Sequence, residues 1–371
     1  MSVTLGQGFR PYLLRAANSI FGDAAYPGYK LDPQGFLNLL QSQNKPQVLT
    51  LNNAAGHKNT VQVSYKQRFT KDFTDTSKSC DVTSVLSRQE ASVDLSSTRQ
   101  IAIYLADETV AQFEDEASRT VAVGQPAGQI AAELLDDILH AANAILQGVN
   151  DDLLTLAVAA IGKNRVTGSA AAKTVNFPLN TTNLPLNAGM NEILSDYKIN
   201  GGKGRPQIVG SGLMHNFMLM QAAKGIDQSG LDTKIQGAGA DFYLDLSASS
   251  ILGANQVIAY EPNAVQIVEY MEYTGFKAGV KPGASVFGTI ALPMMVGAEV
   301  MPVMFDWQLK YSDCPVTLTD QYYGTSLNLQ KGYNFILSKQ CGLFTVPADA
   351  YRGTDALSGN RGSLRYSITN V

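Results

Sequence analysis

The chain has 371 residues, 45% hydrophobic and only 16% charged, with a formal net charge of −4. That length allows two or more domains with a generous core, while the charged fraction falls below the roughly 25% usual in soluble domains. Two sources fit so little surface charge: a surface largely covered by other protein, or a large domain with a high volume-to-surface ratio. Three cysteines, Cys80, Cys314 and Cys341, odd in number and far apart, exclude a disulfide framework.

No window approaches the about 20 uninterrupted apolar residues that a membrane-spanning helix needs. The opening "MSVTLGQGFRPYLL" lacks the apolar core of a secretory signal, so the expected setting is a reducing cytoplasm, and the sequon at Asn180 reads as chance. Charge is unevenly spread. Residues 1–71 carry +6, residues 72–152 carry −11 and the remainder +1. Neighbouring blocks of opposite sign fit one arm lying against another, within or between chains; two solvated faces fit equally well.

In chain order, residues 1–60 hold short apolar patches, "YLLRAANSIF" and "GFLNLLQS", among Gly, Pro, Asn and Gln. They predict an extended arm with one or two short helices. From Val61 the pattern alternates: Val61, Val63 and Tyr65 share one face, and Ile101, Ile103 and Leu105 another. Between them lies the polar "KDFTDTSKSCDVT", which predicts a protruding β-loop.

Gln125 to Ile161 predicts one long helix. Pro126 suits a first helical turn, and Ile130, Leu134, Ile138, Ala142, Ile145, Val149 and Leu153 recur every three or four residues. Such a helix is about 50 Å long, with Gly148 as a candidate kink.

A loop-rich stretch leads to a short amphipathic helix, "NAGMNEILSDYKING", closed by Gly201 and Gly202. A strand at Gln207–Gly210 and a helix at Leu213–Ala223 follow. "ANQVIAYEPNAVQIVEY" reads as two strands around a Pro262 turn, and strands return from Val286 to the end.

Residues that do chemistry are sparse. His57, His140 and His215 stand in different segments without metal-ligand spacing, and His140, beside the apolar stripe of the long helix, reads as structural. Ser211 lacks a nucleophile elbow, and "GGKGRP" is a turn, not a phosphate loop. Asp72, Asp75 and Asp81 depart from the calcium-loop pattern and read as an exposed loop tip. Glu114, Asp115 and Glu116 form either a solvated turn or a patch for the basic arm. No basic cluster interleaves with aromatics, against sequence-specific nucleic-acid binding. No catalytic, cofactor-binding or metal-ligating residues are expected, and no cofactor.

The order of elements, together with "GANQVIAYEPNAVQIVEY" and "KGRPQIVGSGLMHNFMLM", resembles the major capsid proteins of tailed bacteriophages with the Hong Kong 97-type fold. The resemblance implies an α+β chain with an N-terminal arm over 1–60 and an E-loop over 61–110. A P-domain with a spine helix would occupy 111–165, an A-domain 166–285 and returning P-domain strands 286–315. A C-terminal β-rich extension would fill 316–371.

It further implies a structural, non-enzymatic subunit that self-assembles into the icosahedral head shell around double-stranded DNA. The partners implied are copies of itself in hexamers and pentamers, portal, scaffolding and decoration proteins, and non-specific contact with packaged DNA, with no membrane. Its place would be the virion capsid, assembled in the host bacterial cytoplasm. An encapsulin-like nanocompartment shell shares these features, and a soluble α/β enzyme with an unrecognised site is the rival from another class.

Overall fold

The computed structural model describes residues 9–22, 30–31, 35–43, 47–53, 59–66, 88–119, 128–177, 188–224, 234–237, 239–272, 280–281, 285–296, 299–312, 316–319, 326–329, 332–347 and 361–369. The fold is α+β. Its first elements are α1 (Phe9–Gly22), α2 (Gly35–Ser42), β1 (Gln47–Asn53), β2 (Asn59–Lys66), β3 (Arg88–Asp94), β4 (Ser97–Ala106), α3 (Asp107–Arg119) and α4 (Gln129–Ala159). Then come β5 (Lys173–Asn176), α5 (Ala188–Ile199), β6 (Gln207–Gly210), α6 (Gly212–Lys224), β7 (Lys234–Gly237), β8 (Ala240–Leu244), α7 (Ala248–Ile251), β9 (Gln256–Tyr260) and β10 (Val265–Tyr270). The rest are strands: β11 (Val280–Lys281), β12 (Ser285–Val296), β13 (Glu299–Ser312), β14 (Val316–Thr319), β15 (Ser326–Leu329), β16 (Gly332–Thr345) and β17 (Ser363–Thr369). The chain folds as two compact units, and both α4 and β16 begin in the first and end in the second.

Unit 1 comprises Met1–Pro33, Thr98–Gly148 and Tyr270–Gln340. Its frame is antiparallel. β12 and β13 pair along their whole length, from Ser285↔Lys310 to Val296↔Glu299, and β13 pairs in turn with the start of β16, from Asp306↔Ser338 to Ser312↔Gly332. Alternate residues of β13, Val303, Phe305, Trp307 and Leu309, are buried, as the two-residue period of a strand requires.

α1 packs on β12. Phe9, Tyr12, Leu13, Ala16, Ala17 and Ile20 recur at helical spacing and are all buried. Phe9 meets Phe113 of α3 at 4.5 Å between ring centroids and Trp307 at 6.0 Å, and Trp307 stacks on Phe335 at 5.4 Å. Burying one such ring contributes about 1.5–3 kcal/mol, so α1 is a seated part of unit 1.

Glu116 fastens the start of α4. Its carboxylate accepts from the backbone N–H of Ile130 (3.3 Å) and Ala131 (3.4 Å), donors that have no intrahelical acceptor. The Tyr12 hydroxyl of α1 donates to the same carboxylate at 3.3 Å. Of the acidic run expected as either a solvated turn or a patch for the basic arm, Glu116 stands on α3 and caps α4.

Unit 2 comprises Gln34–Ser97, Val149–Glu269 and Cys341–Val371. Its main sheet runs β5-β17-β9-β6-β8-β7. β6 and β8 are parallel, as are β17 and β5, and the remaining neighbours are antiparallel. Apolar residues of α5 and α6, Met190, Ile193, Met214, Phe217 and Met218, pack with Ile208, Phe242, Val257 and Tyr366 of the sheet in one core. β17 comes from the tail that the sequence reading set apart, and it lies inside this sheet. A second, three-stranded antiparallel sheet runs β1-β2-β3.

α2 is sunk into unit 2. Phe36 N–H donates to Asp245 Oδ2 (2.9 Å), and Leu37 N–H to Asn150 Oδ1 (2.9 Å). Gly35 lies so close to the backbone of Leu244 that a Cβ there would overlap its carbonyl. Phe36, Leu37, Leu39 and Leu40 are buried.

The Pro262 turn carries a change of sheet. Ala264 N–H closes onto Glu261 C=O at 2.9 Å, and Asn263 takes a φ of 63°, a left-handed conformation that Asn tolerates better than most residues. β9 lies in the main sheet of unit 2, while β10 pairs with β16. The sequence shows two strands around a turn; it does not show that they belong to different sheets.

Candidate functional site

His140 projects from α4 with its side chain 78% exposed and Nε2 3.6 Å from Asp136. It stands exposed, outside the apolar stripe of the helix. His215 sits on α6 in unit 2, its ring 6.1 Å from Phe242, and burial pushes its pKa down, favouring the neutral ring. The two histidines belong to different units. Among the described residues, no group of three or more His, Cys, Asp or Glu side chains is placed to hold a metal ion.

Ser211 lies immediately before α6, its carbonyl accepting from His215 N–H at 3.3 Å. The glycines of "GGKGRP" do form a turn: Gly201 and Gly204 have φ of 77° and 72°, and Tyr197 covers Gly202. His57, Cys80, Cys314, Asn180 and the acidic tip with Asp72, Asp75 and Asp81 lie outside the described residues.

Two buried carboxylates organise unit 2. Asp245 accepts from Phe36 N–H, Asn150 Nδ2 (3.0 Å) and Ser247 N–H (2.9 Å). Desolvation nevertheless holds its pKa above the ordinary value, since burial of the charge outweighs those donors. Asp196 accepts from Asn164 Nδ2 (2.6 Å) and the Tyr366 hydroxyl (2.9 Å), with Lys173 Nζ 3.3 Å away. Burial, then the nearby Asp196 charge, raises the Tyr366 pKa. Both clusters are packed inside the unit, and their work is to pin α2 and the α4–β5 connection.

What unit 2 presents outward at that connection is basic. Asn200 Oδ1 accepts from Arg165 N–H at 2.6 Å, and the Tyr197 hydroxyl donates to Lys203 C=O at 2.6 Å, which gathers residues 163–166 and 197–205 into one knob. Lys163, Arg165, Lys198, Lys203 and Arg205 are exposed on it. Among them stand Val166, 52% exposed, and Ile199, 50% exposed. Arg205 pairs with Asp241 at 3.0 Å, and the neighbouring Glu192 and Asp196 are engaged by Lys173.

Unit 1 presents the opposite sign. Glu133, Asp136 and Asp137 are exposed on α4 at spacings that place them on one face. Partial burial, and then repulsion from Asp136, raise the Asp137 pKa. Single-residue reasoning found the charge imbalance of the blocks but missed the knob, because its two halves are separated by α5 and β5.

No protein-family model and no curated protein matches the sequence. Among solved structures the chain is similar to several. A chain of the cyanophage A-1(L) capsid asymmetric unit is 13% identical, with 92% of this chain and 95% of that one covered and a TM-score of 0.44. A chain of Mycobacterium phage Adephagia is 12% identical over 91% and 92%, TM-score 0.42. A virus-like particle from Pyrococcus furiosus is 8% identical over 98% and 100%, TM-score 0.34.

Proposed function

We propose that this chain is a shell-forming subunit: a major capsid protein of the Hong Kong 97-type that closes with copies of itself into a tailed-phage head around DNA. The observation that carries the reading is α4. Thirty-one residues long, it begins in one compact unit and ends in the other, and it is lined by Leu134, Leu135, Ile138, Ile145, Val149 and Leu153. At 1.5 Å per residue that is about 46 Å of continuous strut. A helix of that length suits a subunit that carries load within a shell, and the long paired strands β12 and β13 suit it equally.

The order of the parts supports the same reading: N-terminal helices, then the three-stranded sheet, the long helix, the mixed α/β sheet and late strands returning to the first unit. The polar clusters support structure over catalysis, since Asp245, Asp196 and Glu116 each hold a secondary-structure element in place. Portal, scaffolding and decoration proteins and packaged DNA belong to the proposal as partners.

Sedimentation velocity of the purified full chain tests it. Species of capsomer mass or larger, growing with protein concentration, are expected. A single monomer boundary at every concentration and salt contradicts the reading. If shells form but retain protein cargo and no DNA when isolated from the producing cell, the subunit belongs to a nanocompartment.

A further inference from the structure

The knob of unit 2 and the acidic face of α4 have complementary chemistry. We infer that, given the assembly proposed above, the Lys163–Arg165–Lys203 knob of one copy docks on the Glu133–Asp136–Asp137 face of the next copy. The contact joins two different patches of one chain. Such heterologous contacts repeat head to tail and close into rings when the rotation permits, which is the geometry that a hexamer or pentamer requires.

Three observations on the molecule carry it. First, the cations are concentrated: Lys163 and Arg165 lie on one segment, Lys198 and Lys203 on another hydrogen-bonded to it, and the carboxylates beside them are engaged by Lys173 and Arg205. Second, the knob has an apolar centre. Val166 and Ile199 are each about half exposed, and β-branched side chains ringed by charge match a protein interface with a dry middle and a polar rim. A surface that grips single-stranded nucleic acid places aromatic rings among its cations for stacking, and the knob has none exposed; contact with duplex phosphates needs none and is left to the test below.

Third, the knob is rigidly built. Asn164, Asp196, Tyr366 and Asn200 hold its backbone from below, so little ordering cost attends docking. In unit 1 the carboxylates stand on successive turns of a helix anchored by Glu116. Partial burial, and after it repulsion from Asp136, raise the Asp137 pKa, and arriving cations offset that repulsion.

Charge reversal of each face, and of both together, tests the contact in the full chain. The basic variant is Lys163→Glu with Arg165→Glu and Lys203→Glu, and the acidic variant is Glu133→Lys with Asp136→Lys and Asp137→Lys. All six side chains are exposed, and circular dichroism and melting midpoints of the variants serve as the folding control. In about 0.1 M salt either triple variant is expected to slow assembly, followed by light scattering, by roughly tenfold or more, since steering between exposed charges acts mainly on association rate. The six-fold variant, with both faces inverted, should regain assembly.

Wild-type rates in the basic variant overturn the contact while leaving the shell reading intact. Two impaired triples without recovery in the combination show that the faces do not oppose each other, and overturn it too. So does a basic variant that assembles normally but loses retention of duplex DNA on a filter, which reassigns the knob to nucleic acid. A wild-type chain that never leaves the monomer sinks the shell reading and this contact with it.

Discussion

Gly288 illustrates how little room the core of unit 1 leaves. A Cβ at that position would lie 3.2 Å from Arg10 Nε and 3.3 Å from two atoms of the Trp307 indole, closer than side chains normally pack. Trp307 is fully buried and stacked on Phe335, so it has nowhere to move. Gly288→Ala should therefore destabilise by about 1–3 kcal/mol, the cost of overpacking a dense core. Denaturant unfolding would read this as a lower midpoint; a raised midpoint would mean that the indole can shift.

Asp245 makes a second prediction, with a definite sign. Its folded-state pKa lies above the ordinary 3.8, chiefly through desolvation. The folded state then binds the proton more tightly than the unfolded state does, so this group's contribution to stability declines as pH rises from 3.8 through the raised value. Asp245→Asn cannot titrate. Its amide N–H would also face a backbone donor, which costs about 1–3 kcal/mol. The excess stability of wild type over the variant should shrink as pH climbs through that window. A difference that stays flat would show an ordinarily titrating carboxylate.

At the scale of elements, α4 is the strongest case. Ile138 is fully buried on its stripe, and truncation of such a residue to Ala costs about 2–5 kcal/mol. Ile138→Ala should lower the unfolding midpoint accordingly, and Ile138→Asp should prevent accumulation of folded protein. Normal folding of the Asp variant would show that α4 is not packed as described.

This helix was legible in the sequence, because a 3.6-residue period over thirty positions has no competing explanation; it runs from Gln129 to Ala159 where Gln125 to Ile161 was expected, and Pro126 lies outside the described residues. The helix runs without a break through Gly148, the candidate kink. The strand at Gln207–Gly210 and the helix after it were equally legible, since Gly and Pro bound them on both sides. Non-local facts were not. Nothing in "GSLRYSITN" tells that β17 inserts between β5 and β9, because pairing depends on residues a hundred positions away. Nor does "GFLNLLQS" reveal that Asp245 and Asn150 wait for its first turn.

For the whole molecule, two compact units share α4 and β16, and the charged groups that are buried hold elements in place. In the assembly proposed here, the basic knob and the acidic helix face would let copies meet in one orientation. Everything then turns on whether copies assemble. Electron micrographs of the purified full chain, taken after concentration at near-physiological salt, test this most directly. The account predicts rings or closed angular particles of uniform size. A field of dispersed single chains, unchanged by concentration or salt, would contradict it.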